Sequence, residues 1–309
     1  MTADAGDHAV LEALELRVKA ILPEAYQDSY ESVQPVSMGS AGLTFGADGR
    51  VAWDQIWGSF CDLAMAGGPP HKGTFLEPAS RAEVNAQPIR YAQVTEEICR
   101  GVSMVSGLSA RRSPVPGWVR VACESEATAA WLLRAILMEN VAARADGQAL
   151  DLPAAPHFRI EKEIKNVVTV IAKTCHYWMG HVSRTQQRDI AQLFAASAAE
   201  WPFVEPSYSH DVTRVESGER LAGTMAEAIT RHTGLLPSAR VYVGWLGVEC
   251  PTVQRAIWMT RALVASNVLS RREGTVLFVP VNPMTDPSGD VVVRAVTRIH
   301  RCAALRGVR

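Results

Sequence analysis

Between Gly117 and Val141 the chain first alternates apolar and polar residues, "GWVRVAC". It then spaces small and apolar residues at helical intervals, with Ala127, Trp131, Arg134, Ile136, Met138 and Val141 in the run. Alternation at period two marks a strand, and the longer period marks a helix packed on a sheet. The same phrase returns between Gly244 and Val268, where "GWLGV" precedes a second long amphipathic run. Ahead of each phrase the pattern predicts a helix (about 54–66 and 185–200), a short "LEP" or "VEP" strand and a second helix (about 91–106 and 218–233). Behind each phrase it predicts two further strands. These are "ALDLP" then "IKNVVTVIAK" in one case, and "TVLFVP" then "VVVRAVTRI" in the other. The dipeptides Asp146-Gly147 and Glu273-Gly274 are read as stops for the long helices. An apolar helix is also expected over about 8–22.

Placed at an offset of 127 residues, the two phrases share Gly, Trp, Val, Cys, Ala, Trp, Arg, Ala, Asn and Val at matching positions, from Gly117/Gly244 to Val141/Val268. Average residue usage would give roughly one or two identities in such a window. The offset continues through Arg144/Arg271, Gly147/Gly274, Pro153/Pro280 and Cys175/Cys302. The expectation is therefore an internally duplicated α/β protein with a mixed sheet. Two homologous α-β-α-β-α-β-β halves would be related by a pseudo-twofold axis. An N-terminal helix and extension would occupy 1–49, the first half 50–178 and the second half 179–309.

Composition narrows the class. Hydrophobic residues make up 48% and charged residues 20% of 309, which suits a packed globular chain. The net charge of −1 lacks the basic excess of a phosphate-backbone binder, so nucleic acid is not expected as a partner. The C-terminal arginines Arg298, Arg301, Arg306 and Arg309 are read as a solvated helix end. No uncharged run has the character of a spanning helix, since the longest, Ser32 to Ala47, is rich in Gly, Ser and Pro. A membrane partner is therefore not expected either. Six scattered cysteines without a CxxC pair, behind an acidic N-terminus, point to reduced thiols in a cytoplasm.

Candidate chemistry is sought where the halves differ. The first half carries "AGGPPHKGTFLEP" where the second has only "AAEWPFVEP". Pro69-Pro70 stiffens this inserted loop and would hold His71 and Lys72 in fixed directions. His71 is assigned as general acid or base and Lys72 as anchor for a carboxylate or phosphate. Gly67 and Gly68 are the backbone positions assigned to a bound cofactor. A second candidate is "AKTCHYWMGH", where Cys175, His176 and His181 supply a sulfur and two imidazoles for a transition ion such as zinc. His176 is also assigned to catalysis. The third is "FRIEKEIKN", where a strand would place Glu161, Glu163 and Lys165 on one face as a carboxylate pair beside a cation. Each candidate has a plainer alternative: a helix stop, packing at a domain junction, and a solvated sheet face.

No dinucleotide fingerprint, Walker loop, GxSxG elbow or HExxH helix is present. The leading expectation is a cytoplasmic enzyme working on a small polar or anionic molecule by acid–base chemistry where the two halves meet. The alternative is a non-catalytic accessory or assembly protein that binds a metal or cofactor. Such a protein would pair with a second copy or with a larger complex.

Overall fold

A five-residue strand with alternate apolar side chains cannot stand alone, and each Trp–Val strand here finds its partner in a hairpin later in the chain. The computed structural model describes residues 5–24, 27, 42–56, 74–209 and 211–307. It is a mixed α/β fold of helices and two small antiparallel sheets. The chain divides into a central unit, Ser32–Gln187, and a flanking unit formed by Met1–Glu31 with Arg188–Arg309. The opening helix α1, Ala5–Ala20, belongs to the flanking unit.

In the central unit a 3-10 turn at Trp53–Gln55 precedes α2 (Arg81–Ala86) and α3 (Pro88–Ser106). Helix α2 starts on a capping box. The Ser80 hydroxyl accepts from the Glu83 N–H, and the Glu83 carboxylate accepts from the Ser80 N–H. Strands β1 (Ala110–Arg112) and β2 (Trp118–Ala122) lead to α4 (Glu126–Met138), β3 (Arg144–Asp146) and β4 (Ala149–Pro153). The sheet order is β1-β2-β4-β3, every neighbour antiparallel, with Trp118 opposite Pro153 and Val121 opposite Leu150. A π turn at Ile160–Ile164 then runs into α5 (Lys165–Gly180). On the sheet the carboxylate of Asp151, 2% exposed, accepts from Arg120 and Arg144 at 2.8 Å each. The Arg144 guanidinium lies 4.7 Å from the Trp118 ring centroid.

The division between the units falls within α6, Arg184–Glu200. In the flanking unit follow α7 (Val212–Thr233), β5 (Trp245–Glu249), α8 (Val253–Ala265), β6 (Arg271–Glu273), β7 (Val276–Pro280) and α9 (Asp290–Leu305). This sheet is ordered β5-β7-β6, again antiparallel. Arg271 is fully buried, with its guanidinium 4.0 Å from the Phe278 ring and 5.1 Å from that of Trp245. It donates to Glu273 at 2.6 Å, and the same carboxylate accepts from Arg240 at 2.8 Å. Two opposite charges that share hydrogen bonds can be kept from water in this way. Helix α1 buries Leu11, Leu14 and Val18, and Ile21 is buried just after it, in the flanking unit, where the helix packs on α8 and α9.

Three expectations are corrected by the fold. The stretches "IKNVVTVIAK" and "VVVRAVTRI" are not strands but lie in helices α5 and α9, so neither unit ends on a strand and neither sheet is mixed. Their valines suggested strand, but the spacing is helical. Val292, Ala295, Val296, Ile299, Cys302 and Ala303 are buried along α9, and α5 is sixteen residues long. Gly147 and Gly274 do not stop helices. They take positive φ, 57° and 63°, in the tight turns of the β3–β4 and β6–β7 hairpins. The helices stop earlier, just before Asn140 and Asn267, which hold φ of 61° and 60°. Finally, the "LEP" and "VEP" segments supply single parallel bridges, Leu76 to Val141 and Val204 to Val268, rather than strands. The start of the expected helix over 54–66 is the 3-10 turn, and the rest of it lies outside the described residues.

One backbone approach fixes where β2 and β5 begin. Gly117 has φ of 88° and Gly244 has φ of 76°. A Cβ on Gly117 would sit 2.2 Å from the Ala79 carbonyl oxygen, and one on Gly244 would sit 2.3 Å from that of Ser207. Only glycine satisfies both demands. Among the described residues no helix is long and apolar enough to cross a membrane.

Candidate functional site

The residues Gly67, Gly68, His71 and Lys72 lie outside the described residues. The remaining sequence candidates cluster at the two ends of α5, and the helix decides how each is presented.

At the N-terminal end, Glu161 and Glu163 belong to the π turn, so the expected grouping of Glu161, Glu163 and Lys165 on one strand face is not formed. Glu161 is exposed, whereas Glu163 turns back on its own segment. Its carboxylate accepts from the Arg159 backbone N–H at 3.0 Å and pairs with the Arg159 guanidinium at 3.4 Å and with Lys162 at 3.5 Å. Burial pushes this carboxyl up, but the hydrogen bonds from Arg159 outweigh it and leave the group below its ordinary range. Glu163 therefore satisfies the donors that open the turn.

At the C-terminal end the three metal candidates separate. Adjacent helical residues point about 100° apart. Cys175 is 2% exposed, and burial, followed by the charges of Cys123 and Glu124, pushes its thiol far up. It is held as a protonated, apolar side chain. His176 and His181 come together instead, with their Nε2 atoms 3.0 Å apart. His181 caps the helix, its N–H donating to the Tyr177 carbonyl at 2.9 Å, and so folds back toward the last turn. Burial and then the neighbouring His181 hold the His176 imidazole below its ordinary value, so the neutral ring is favoured there. Close by, Lys173 is 6% exposed and donates to Glu139 at 2.7 Å. Among the described residues no group of three or more His, Cys, Asp or Glu side chains is placed to hold a metal ion.

A further site lies on α9. With its apolar side chains buried, Arg294, Arg298 and Arg301 fall along one strip, four and then three residues apart. Beside the strip is a hollow of about 590 Å³, lined by these three arginines with Asp7, Trp201 and His232. A smaller hollow of about 310 Å³ between α1 and α9 also takes in Trp201 and Arg298. Trp201 is 8% exposed, and the Arg298 guanidinium lies 5.4 Å from its ring. Arg294 is steadied by donating from Nε to the Asp290 carbonyl at 3.2 Å. His232 stands in the last turn of α7. The sequence shows Arg298 and Arg301 as part of a solvated basic end, and a strand over "VVVRAVTRI" separates Arg294 from them. At helical spacing the same arginines would have stood out as a stripe.

Comparison with protein-family models, curated proteins and solved structures finds no match for the chain.

Proposed function

We propose that the chain is an internally duplicated α/β protein that binds a small anionic molecule in the arginine-lined hollow on α9. The reading of duplication is supported by elements that recur 127 residues apart. Strand β2 corresponds to β5, helix α4 to α8, β3 to β6 and β4 to β7, each with the same length. The bridge between Pro237 and Val248 repeats the pairing of Ala110 with Val121. The N-caps Ser125 and Thr252 and the positive-φ residues Asn140 and Asn267 occupy matching positions.

The observation that carries the ligand reading is the Arg294–Arg298–Arg301 strip beside a concavity of about 590 Å³. That volume is in the range of small-molecule sites. Guanidinium forks match carboxylate and phosphate oxygens. The Trp201 ring lies beneath the Arg298 guanidinium and holds it beside the hollow. Because the whole chain carries a net charge of only −1, the basic strip is a local feature and suits a compact anion better than a polyanion. In the enzymatic form of this reading His232 exchanges protons with the bound ligand; in the accessory form the ligand is only carried. The cytoplasm remains the proposed compartment, in keeping with the free thiols of Cys99, Cys123, Cys175, Cys250 and Cys302.

Calorimetric titration with inorganic pyrophosphate and with citrate tests the reading. Binding at one site is expected, weakened by about a hundredfold or more in a double Arg298→Gln, Arg301→Gln variant, since each of the two lost charged hydrogen bonds is worth roughly 1.5–3 kcal/mol. Absence of binding at millimolar anion, or equal affinity in the variant, sinks it.

A further inference from the structure

The His176–His181 pair is a preformed two-imidazole chelate, and we propose that it binds one divalent transition ion of the copper(II) type. It stands in the central unit and is independent of the anion hollow. With metal–nitrogen bonds of about 2.0–2.1 Å, two nitrogens 3.0 Å apart subtend roughly 95° at a shared ion. That is the angle between neighbouring positions of a square-planar or tetragonal site and is tighter than a tetrahedral angle. Copper(II) and nickel(II) favour such geometry with nitrogen ligands, whereas zinc in closed structural sites is tetrahedral.

The ring orientation agrees. The two ring centroids are 4.8 Å apart, closer than a head-on approach of the nitrogens would leave them, so the Nε2 lone-pair axes tilt away from the line joining the two atoms. The rings are also inclined at 66° to each other. Without metal, one Nε2 donates to the other. Ligation needs both Nε2 atoms bare, so the donor ring moves its proton to Nδ1. The helix end supplies the preorganisation, because the His181 N–H is held by the Tyr177 carbonyl and the last turn sets the spacing. Cys175 takes no part, and the remaining coordination positions are left to water or an incoming ligand.

The test uses the full chain, without an affinity tag, and one equivalent of copper(II). The expected electron paramagnetic resonance spectrum is tetragonal, with hyperfine structure from two equatorial nitrogens, and calorimetry is expected to give one ion per chain. His181→Ala, at an exposed position, should remove the two-nitrogen pattern while circular dichroism stays unchanged. His176→Ala should do the same, and Cys175→Ser should leave the spectrum intact. The proposal is overturned by a spectrum that survives His181→Ala, by a spectrum lost on Cys175→Ser in a folded variant, or by failure to retain copper through gel filtration.

Discussion

Glu97 is 9% exposed, yet its carboxylate accepts from Trp53 Nε1 at 2.8 Å and from Arg50 and Arg100 at 3.0 Å each. This knot fastens the turn at Trp53 to α3. Burial pushes the carboxyl up, and the hydrogen bonds from Arg100, Trp53 and Arg50 more than reverse it, so the folded value lies below the ordinary 4.5. In the window between 4.5 and that lower value the unfolded chain takes up the proton first. The contribution is thus complete above 4.5 and is lost as pH falls through the folded value. Glu97→Gln should cost about 2 kcal/mol at neutral pH. It should also flatten the acid side of the stability profile, read from urea unfolding at pH 7 and pH 3; an unchanged slope would refute the assignment. At this scale the sequence revealed residue types but not partners. Cys175, His176 and His181 were close enough in the chain to be read as one ligand set. That Cys175 turns inward depended on whether the backbone was helix or strand, which five apolar neighbours could not decide.

The strands and short turns were legible where period-two alternation was bounded by Gly or Pro, as in "GWVRVAC" and "ALDLP". Helices α5 and α9 were not, because β-branched residues suggested strand while the burial pattern ran at helical spacing. Tertiary packing overrode local preference there. The glycines of the central sheet separate two causes of strain. Gly117 and Gly147 both have positive φ, but only at Gly117 would a Cβ strike backbone, 2.2 Å from the Ala79 oxygen. Gly147→Ala is expected to lose about 1–2 kcal/mol from the left-handed backbone alone. Gly117→Ala should lose clearly more, or fail to fold, because Ala79 and β2 must part. Urea midpoints for the two variants compare them; equal losses would mean that the close approach carries no weight.

The division into two units has an asymmetric consequence. The central unit, Ser32–Gln187, is continuous, whereas the flanking unit needs Met1–Glu31 from the far end of the chain. Burying Leu11, Leu14, Val18 and Ile21 contributes roughly 1.5–3 kcal/mol for each side chain. Their sum is comparable with the whole net stability of an ordinary domain. A fragment of residues 32–187 should therefore unfold cooperatively on its own. Residues 188–309 should not, until a peptide of residues 1–31 is added; circular dichroism melts of the three samples decide it. Cooperative unfolding of 188–309 alone would show that α1 is dispensable. The proposed duplication rests in the sequence on two tryptophans and a cysteine in register. Assignment of α1 to the flanking unit could not be read there, since nothing local in an amphipathic helix names the surface it covers.

That attachment also sets an order of events during synthesis. Helix α1 is made before the central unit, whereas the helices it packs on, α8 and α9, are made after it. The central unit can fold while its forerunner waits with an apolar face uncovered. The contact joins segments on either side of the whole central unit, so its closure should be slow and should follow synthesis of α9.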